Sequence, residues 1–377
     1  MTILIKLGIF IFNLIYSVLK LLPQKKKITI ISRQSDNPSI DIILLRDKIS
    51  ELEPGYTVAV LCRKLEKSPL KAIGYFFHML RQLYYFAVSE AVILDSYCIL
   101  ASILHHRKNL LIIQMWHSVG TMKKFGYSIL DKPEGSSSRM ARLMKMHENY
   151  DFILAAGDGY KAHLAEGFNY PESKIVTLPL PRVELLKSEE YGESVRKRIF
   201  SAYPQLKDKK NIVYVPTFRK ADDKGLSAAL RSLCSSVDYS KYNLIVKVHP
   251  LTEIDLPEDT GALKDSIFSS FEMLFAADMV ISDYSCIIYE AAVLGKPVYL
   301  YAYDYREYMA DRDIYMDYMA EMPGPVSGDA TSLMSAINSE AYDYSKLRSF
   351  LNKYVYMGSS HETEDIVRFI FSHLKNR

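Results

Sequence analysis

Cysteine is scarce in this chain: four residues in 377, Cys62, Cys98, Cys234 and Cys286, with no CxxC spacing among them. That argues against a disulfide framework or a zinc-binding cysteine motif and points to a reducing compartment. Tryptophan is scarcer still, with Trp116 alone. Excess charge of one sign is missing as well. The 47 Lys and Arg face 44 Asp and Glu, a formal net charge of +3. So small an excess argues against a nucleic-acid binder, and 49% hydrophobic residues are too many for a disordered chain. No internal repeat and no low-complexity tract is present. What remains is a long globular chain, rich in tyrosine (28 residues), with apolar residues enough for two domains of ordinary size.

The one long apolar run, Leu7 to Leu19, lies between Lys6 and Lys20, with Lys25-Lys26-Lys27 after Pro23. It lacks the small-residue cleavage site of a signal peptide and is shorter than the roughly 20 residues that span a bilayer. The pattern predicts a helix lying in the membrane interface, with the lysine cluster on anionic lipid. A helix docked on its own domain is the alternative. Leu70 to Val88 carries Tyr75, Phe76, Phe77, Tyr84, Tyr85 and Phe86 almost all round a helical wheel. It reads as a buried helix or as a second membrane-facing one.

Strand patterns recur at Lys27–Ser32, Thr57–Cys62, Ala91–Asp95, Leu110–Met115, Phe152–Ala156 and Ile175–Leu178. Helical stretches separate several of them, which predicts a parallel doubly wound sheet. A charged segment, 187–210, reads as a hinge. The alternation then restarts at Asn211–Val215, Asn243–Val248, Met279–Ser282 and Pro297–Tyr301. The fold class predicted is α/β and GT-B-like: two Rossmann-like domains facing a cleft. Their expected bounds are 28–195 and 196–377, after a membrane-associated segment 1–27, and the final helix 362–375 is placed back across the hinge.

The densest signal is the run from Ala277 to Leu300, which reads strand, tight turn, helix, strand. Asp283 and Ser285 are N-cap residue types, and Gly295 with Pro297 stops the helix, predicted over Ser285–Leu294. A hydroxyl-lined helix N-terminus at a strand end is suited to phosphate, with Glu290 in reach of a ribose diol. Two further strands of that sheet end in Thr217, Arg219 and Lys220, and in Lys247 and His249. Fork and point-charge cations of this kind surround a pyrophosphate. In the first sheet a strand runs into Trp116, His117, Gly120, Thr121, Lys123 and Lys124, which places a histidine where open sheets carry catalytic groups.

Taken in order, Trp116-His117-x-x-Gly120-Thr121-x-Lys123-Lys124-Phe125-Gly126, Pro216-Thr217-Phe218-Arg219, Lys247-x-His249-Pro250 and Ser282-Asp283-Tyr284-Ser285 resemble the CDP-glycerol glycerophosphotransferases of teichoic acid synthesis. So does the later run Tyr301-x-Tyr303-Asp304-Tyr305-x-x-Tyr308. Within the family, length, the apolar amino terminus and the His117-to-Lys123 spacing are most similar to the short glycerol-phosphate primases. Ser118 and Cys286 stand where glycine and serine are frequent.

The resemblance implies two functional histidines, His117 and His249. It also implies a CDP-polyol donor on Thr217, Arg219, Lys247, Asp283, Tyr284, Ser285 and Glu290. A lipid-linked acceptor is expected on the side of Trp116, Thr121, Lys123 and Lys124, at the cytoplasmic face of the membrane. The reaction implied moves glycerol phosphate, or that of ribitol or another polyol, to a hydroxyl with loss of CMP. His117 is expected as the base. No metal or other cofactor is expected: Asp311-Arg312-Asp313 has DxD spacing but reads as a solvated loop. The competing readings are a GT-B nucleotide-sugar glycosyltransferase or epimerase and a non-catalytic membrane-docking scaffold.

Overall fold

A computed structural model describes the chain apart from residues 1, 66–68, 220–222, 249–254, 258–259 and 376–377. It divides into two compact units. One comprises Met1–Ser118, Phe125–Glu184 and Gly358–Arg377; the other comprises Val119–Lys124 and Leu185–Met357.

The first unit is built on six parallel strands: β1 (Lys27–Ser32), β2 (Thr57–Cys62), β3 (Ala91–Leu94), β4 (Leu111–Gln114), β5 (Phe152–Ala155) and β6 (Ile175–Thr177), in the order β2-β1-β3-β4-β5-β6. Chain direction reverses across the sheet between β1 and β3, where a doubly wound sheet opens a crevice at its carboxyl edge. The strands are apolar on both faces because helices cover both. Ile30, Ile93 and Ile113 pack there with Leu45 and Ile49 of helix Ile40–Leu52, which Ser39 caps through a bond from Ile42 N–H.

The final helix, Glu362–Leu374, belongs to this unit. Ile366, Val367 and Ile370 enter the same core, each contributing about 1.5–3 kcal/mol on burial. Thr363 donates its hydroxyl to Glu184 at 2.8 Å.

The second unit repeats the plan with β7 (Lys210–Val215), β8 (Tyr242–Val246), β9 (Leu263–Lys264), β10 (Met279–Ser282), β11 (Val298–Tyr301) and β12 (Val326–Ser327), in the order β12-β11-β10-β7-β8-β9. Here the reversal falls between β7 and β10, whose last residues, Val215 and Ser282, are paired. The division between units lies at 184/185 rather than at 195/196. Helix Glu189–Ala202, expected as hinge, packs Gly192 and Tyr191 on Phe275 of the second unit.

Helix Thr2–Leu19 lies along the first unit, pinned through its carboxyl-terminal half. Asn13 donates to the Ile103 carbonyl at 3.0 Å and Tyr16 to the Phe86 carbonyl at 3.2 Å. Lys20, just beyond, donates to the His105 carbonyl at 2.7 Å. Its outer face is apolar and exposed: Ile3, Leu4, Leu7, Phe10, Leu14 and Val18. The helix Pro69–Val88 runs beside it, with Phe12 and Phe76 rings 6.1 Å apart. One face of that second helix is buried, with Leu83 and Phe86, and the other carries the exposed Ile73 and Phe77.

Candidate active site

In the first unit the candidate residues lie where β4 ends. Trp116 adopts a left-handed backbone, φ 67°, uncommon for a bulky residue and worth about 1–3 kcal/mol of strain. The buried Gln114 side chain accepts the Trp116 N–H at 3.0 Å. The indole then packs against the rings of Phe125 and Phe168, at 4.6 and 5.2 Å. This reversal turns the His117 imidazole back onto β3, with Nδ1 3.0 Å from the Asp95 carbonyl.

A carbonyl only accepts, so Nδ1 carries the proton and Nε2 keeps its lone pair. Burial pulls the His117 pKa below 6.5. The Asp95 carbonyl and Asp41 oppose this, and the Arg182 guanidinium adds to it. The ring is a neutral base at pH 7.

Asp95 itself was read only as a strand end. Burial raises its pKa, and its Oδ1 is buried with no hydrogen-bond partner at the carboxyl edge of the sheet. An acid closing an otherwise apolar strand is the signal that marks it.

In the second unit β7 and β10 deliver Thr217 and Asp283 to adjacent strand ends. The Asp283 carboxylate is fully buried and accepts from the Thr217 N–H at 2.9 Å and the Tyr284 N–H at 2.6 Å. Arg219 does not stand free as a phosphate fork. Its guanidinium bonds Asp283 at 2.9 Å, Asp304 at 2.5 and 3.0 Å, and the Thr217 carbonyl at 2.8 Å. The rings of Tyr303, Tyr284 and Tyr308 surround it at 4.8–5.9 Å. Tyr284 is likewise a wall of this cluster, stacked on Tyr308 and donating to Asp304 at 3.1 Å.

Lys247 departs from expectation in the same way. Its ammonium donates to the Asp265 carboxylate at 2.7 Å, the Asp265 carbonyl at 3.0 Å and the Phe268 carbonyl. Three protons meet three acceptors. The reason is common to both residues: a cation buried at a strand end is costly unless its charge and protons are all matched.

The groups at the rim of this cluster are Ser285 and Cys286, both half-buried. The following helix is shorter than expected, Ile287–Val293, with Cys286 as N-cap and no side-chain cap bond. Ser285 Oγ instead accepts the Ile287 N–H at 3.4 Å. Glu290 is buried in that helix, and Thr217 Oγ1 is buried without a hydrogen-bond partner. His249 lies outside the described residues.

Thr121, Lys123 and Lys124 were expected beside the first domain with Trp116. The structure places them on the second unit, because 119–124 pairs with 313–315. Lys123 bridges Ile314 antiparallel, Met122 accepts the Tyr315 N–H, and Lys124 binds the Asp313 carboxylate at 2.8 Å. Asp313 is therefore an ion-pair partner rather than part of a solvated loop. The Cys286 thiol donates to the Gly120 carbonyl at 3.2 Å.

Lys123 sits over the Tyr308 ring at 5.5 Å, its pKa pulled down to about 8 by burial. Cys286 and Asp283 favour its cation, and Arg312 and Arg219 oppose it. Lys123 thus packs beside the Asp283–Arg219 cluster of the second unit, a placement the strand motifs did not indicate. Among the described residues no group of three His, Cys, Asp or Glu is placed to hold a metal ion.

The family described as CDP-Glycerol:Poly(glycerophosphate) glycerophosphotransferase matches residues 14–372. The chain belongs to this family. It is accordingly a phosphotransferase of CDP-polyols, in agreement with its motifs. Among curated relatives of this glycerophosphotransferase family, a teichoic acid ribitol-phosphate primase of Bacillus spizizenii is 31% identical over 97% of this chain and 96% of its own length. A teichoic acid glycerol-phosphate primase of Bacillus subtilis is 27% identical over 81% of this chain and 77% of its own.

The solved wall teichoic acid polymerase TagF superposes with a TM-score of 0.74 at 18% identity, covering 100% of this chain and 98% of that one. This establishes the GT-B fold. A UDP complex of Staphylococcus aureus MnaA shares the fold more loosely, with a TM-score of 0.60 at 15% identity over 93% and 97% of the two chains.

Proposed function

We propose that the enzyme transfers a polyol phosphate from a CDP-polyol to a hydroxyl of a membrane-bound, lipid-linked acceptor. The observation that carries the mechanism is the His117 imidazole, locked by Nδ1 with its Nε2 lone pair available. The acceptor oxygen attacks the phosphorus that bears the polyol and its proton passes to Nε2. A new P–O bond forms, the bond to the CMP oxygen breaks, and CMP leaves with the electron pair. Lys123 and Ser285 serve the donor phosphates. His249 is assigned to the same donor role from its motif. Asp283, Arg219, Asp304 and Tyr284 act one layer back, holding the loop in shape.

Glycerol is the first reading of the polyol, supported by the family's description. Ribitol is the second reading, supported by the ribitol-phosphate primase that matches over 97% of the chain. Mass spectrometry of products from CDP-glycerol, CDP-ribitol and a UDP-sugar with lipid-linked acceptors tests both. Transfer from the UDP-sugar alone sinks the proposal.

The enzyme is placed as a peripheral protein on the cytoplasmic face of the membrane. Helix Thr2–Leu19 is long and apolar enough to cross a bilayer, but its pins at Asn13, Tyr16 and Lys20 keep it flat against the first unit. A flat helix with an apolar outer face lies in the interface.

The pH dependence follows from burial of His117. Activity needs the neutral ring, and burial disfavours the cation, so protonation inactivates only below the ordinary histidine value of 6.5. The acid limb of kcat/KM is expected to have its midpoint under pH 6.5. A midpoint above 6.5 contradicts His117 as the base.

A further inference from the structure

The mechanism leaves unused a basic pocket at the amino-terminal end of helix Thr2–Leu19. Its cavity, about 440 Å³, is lined by Lys6 and Ile9 of that helix and by Arg139, Arg142, Leu143 and Lys145. Arg139 also donates to the Thr2 hydroxyl. Among the described residues, Glu148 is the one carboxylate within ion-pair distance of any of these four cations, 3.7 Å from Lys145. Asp131 is a more distant counter-charge near Arg142, already engaged by the Ser138 N–H. Lys6 is the sole charge in its helix, and it falls within this cluster.

The pocket therefore joins three things: a surplus of positive charge, an apolar wall of Ile9 and Leu143, and a position beside the exposed Ile3, Leu4, Leu7 and Phe10. A soluble phosphate uses the first of these only. A ligand with an anionic phosphate and a hydrocarbon chain uses all three. We propose that this pocket holds the phosphate of an anionic phospholipid from the bilayer on which the helix lies. The proposal rests on the peripheral-membrane reading above. It moves the electrostatic anchor from Lys25, Lys26 and Lys27 to the opposite end of the helix and fixes the orientation of the first unit on the membrane.

The test is sedimentation of the full-length protein with phosphatidylcholine vesicles, and with vesicles that also contain phosphatidylglycerol. One basic residue near an anionic surface is worth about a fivefold gain in partitioning. R139Q/R142Q/K145Q is thus expected to lose about a hundredfold on the anionic vesicles, and to match the wild type on phosphatidylcholine. K25Q/K26Q/K27Q removes the same charge elsewhere and is expected to lose clearly less. R142E alone, with loss on anionic vesicles only, serves if the triple variant does not fold.

The membrane reading is tested separately by F10D/L14D, which is expected to lose binding to both vesicle types; if it binds like the wild type, that reading falls. Two results overturn the pocket while leaving the membrane reading intact. One is a loss in R139Q/R142Q/K145Q no larger than in K25Q/K26Q/K27Q. The other is displacement of the wild type from anionic vesicles by inorganic phosphate at constant ionic strength, which marks a free-phosphate site.

Discussion

His117→Ala is expected to lower turnover by about 10²–10⁴, the usual cost of removing a general base, while affinity for CMP stays at the wild-type value. The nucleotide is assigned to the second unit, and His117 belongs to the first. His117→Asn sharpens the test. An asparagine amide can still donate to the Asp95 carbonyl that holds Nδ1 in the wild type, but it has no basic nitrogen. If the imidazole only shapes the Trp116 turn, Asn restores activity. If it takes the proton, Asn is as inactive as Ala. His249→Ala is expected to behave differently, weakening CMP binding by roughly one to two decades through loss of a charge-assisted bond. Steady-state kinetics and calorimetry with CMP on the three variants decide. Lost CMP affinity in His117→Ala with wild-type affinity in His249→Ala reverses the assignment of the two histidines.

The strands were legible because their pattern is local. β1 and β2 fall on the residues that alternation and β-branching select, Lys27–Ser32 and Thr57–Cys62. The two-residue edge strands β9 and β12 are too short to show any period, and neither was read from the sequence. The expected helix at Ser285 begins two residues later because Ser285 bonds Ile287 N–H in a turn before the helix. That is a competition between side chain and backbone which N-cap preference alone does not resolve.

Site chemistry was legible as residue type and strand-end position, and illegible wherever a partner is remote. Arg219 announces a cation at the end of β7. Its partner Asp304 is 85 residues away, and only folding shows that the charge is already matched. Lys247 and Asp265, 18 residues apart, make the same point. The antiparallel pairing of 119–124 with 313–315 is likewise non-local, so Lys123 was read as an acceptor-side residue when it packs against Tyr308.

Arg219→Ala separates these two views of one residue by a large margin. The guanidinium lies 7% exposed between Asp283, 0% exposed, and Asp304, 16% exposed. Its removal leaves the buried Asp283 and the half-buried Asp304 carboxylates without that cation. Breaking such a pair from one side typically costs about 3–5 kcal/mol, a large share of a domain's stability. Arg219→Lys is expected to recover only part, because an ammonium has three protons for the four bonds the guanidinium makes here, and no planar fork for Asp304. Arg219→Ala/Asp304→Asn is expected to recover part as well, by removing one of the stranded charges. Urea unfolding of the three variants measures the losses, and calorimetry with CMP on the folded fraction measures donor binding. A phosphate-binding arginine gives the opposite pattern: near wild-type stability, because the side chain was held for a ligand, and a loss confined to nucleotide affinity. Unfolding midpoints unchanged in Arg219→Ala therefore return this residue to the donor and remove it from the framework of the β7–β10 crevice.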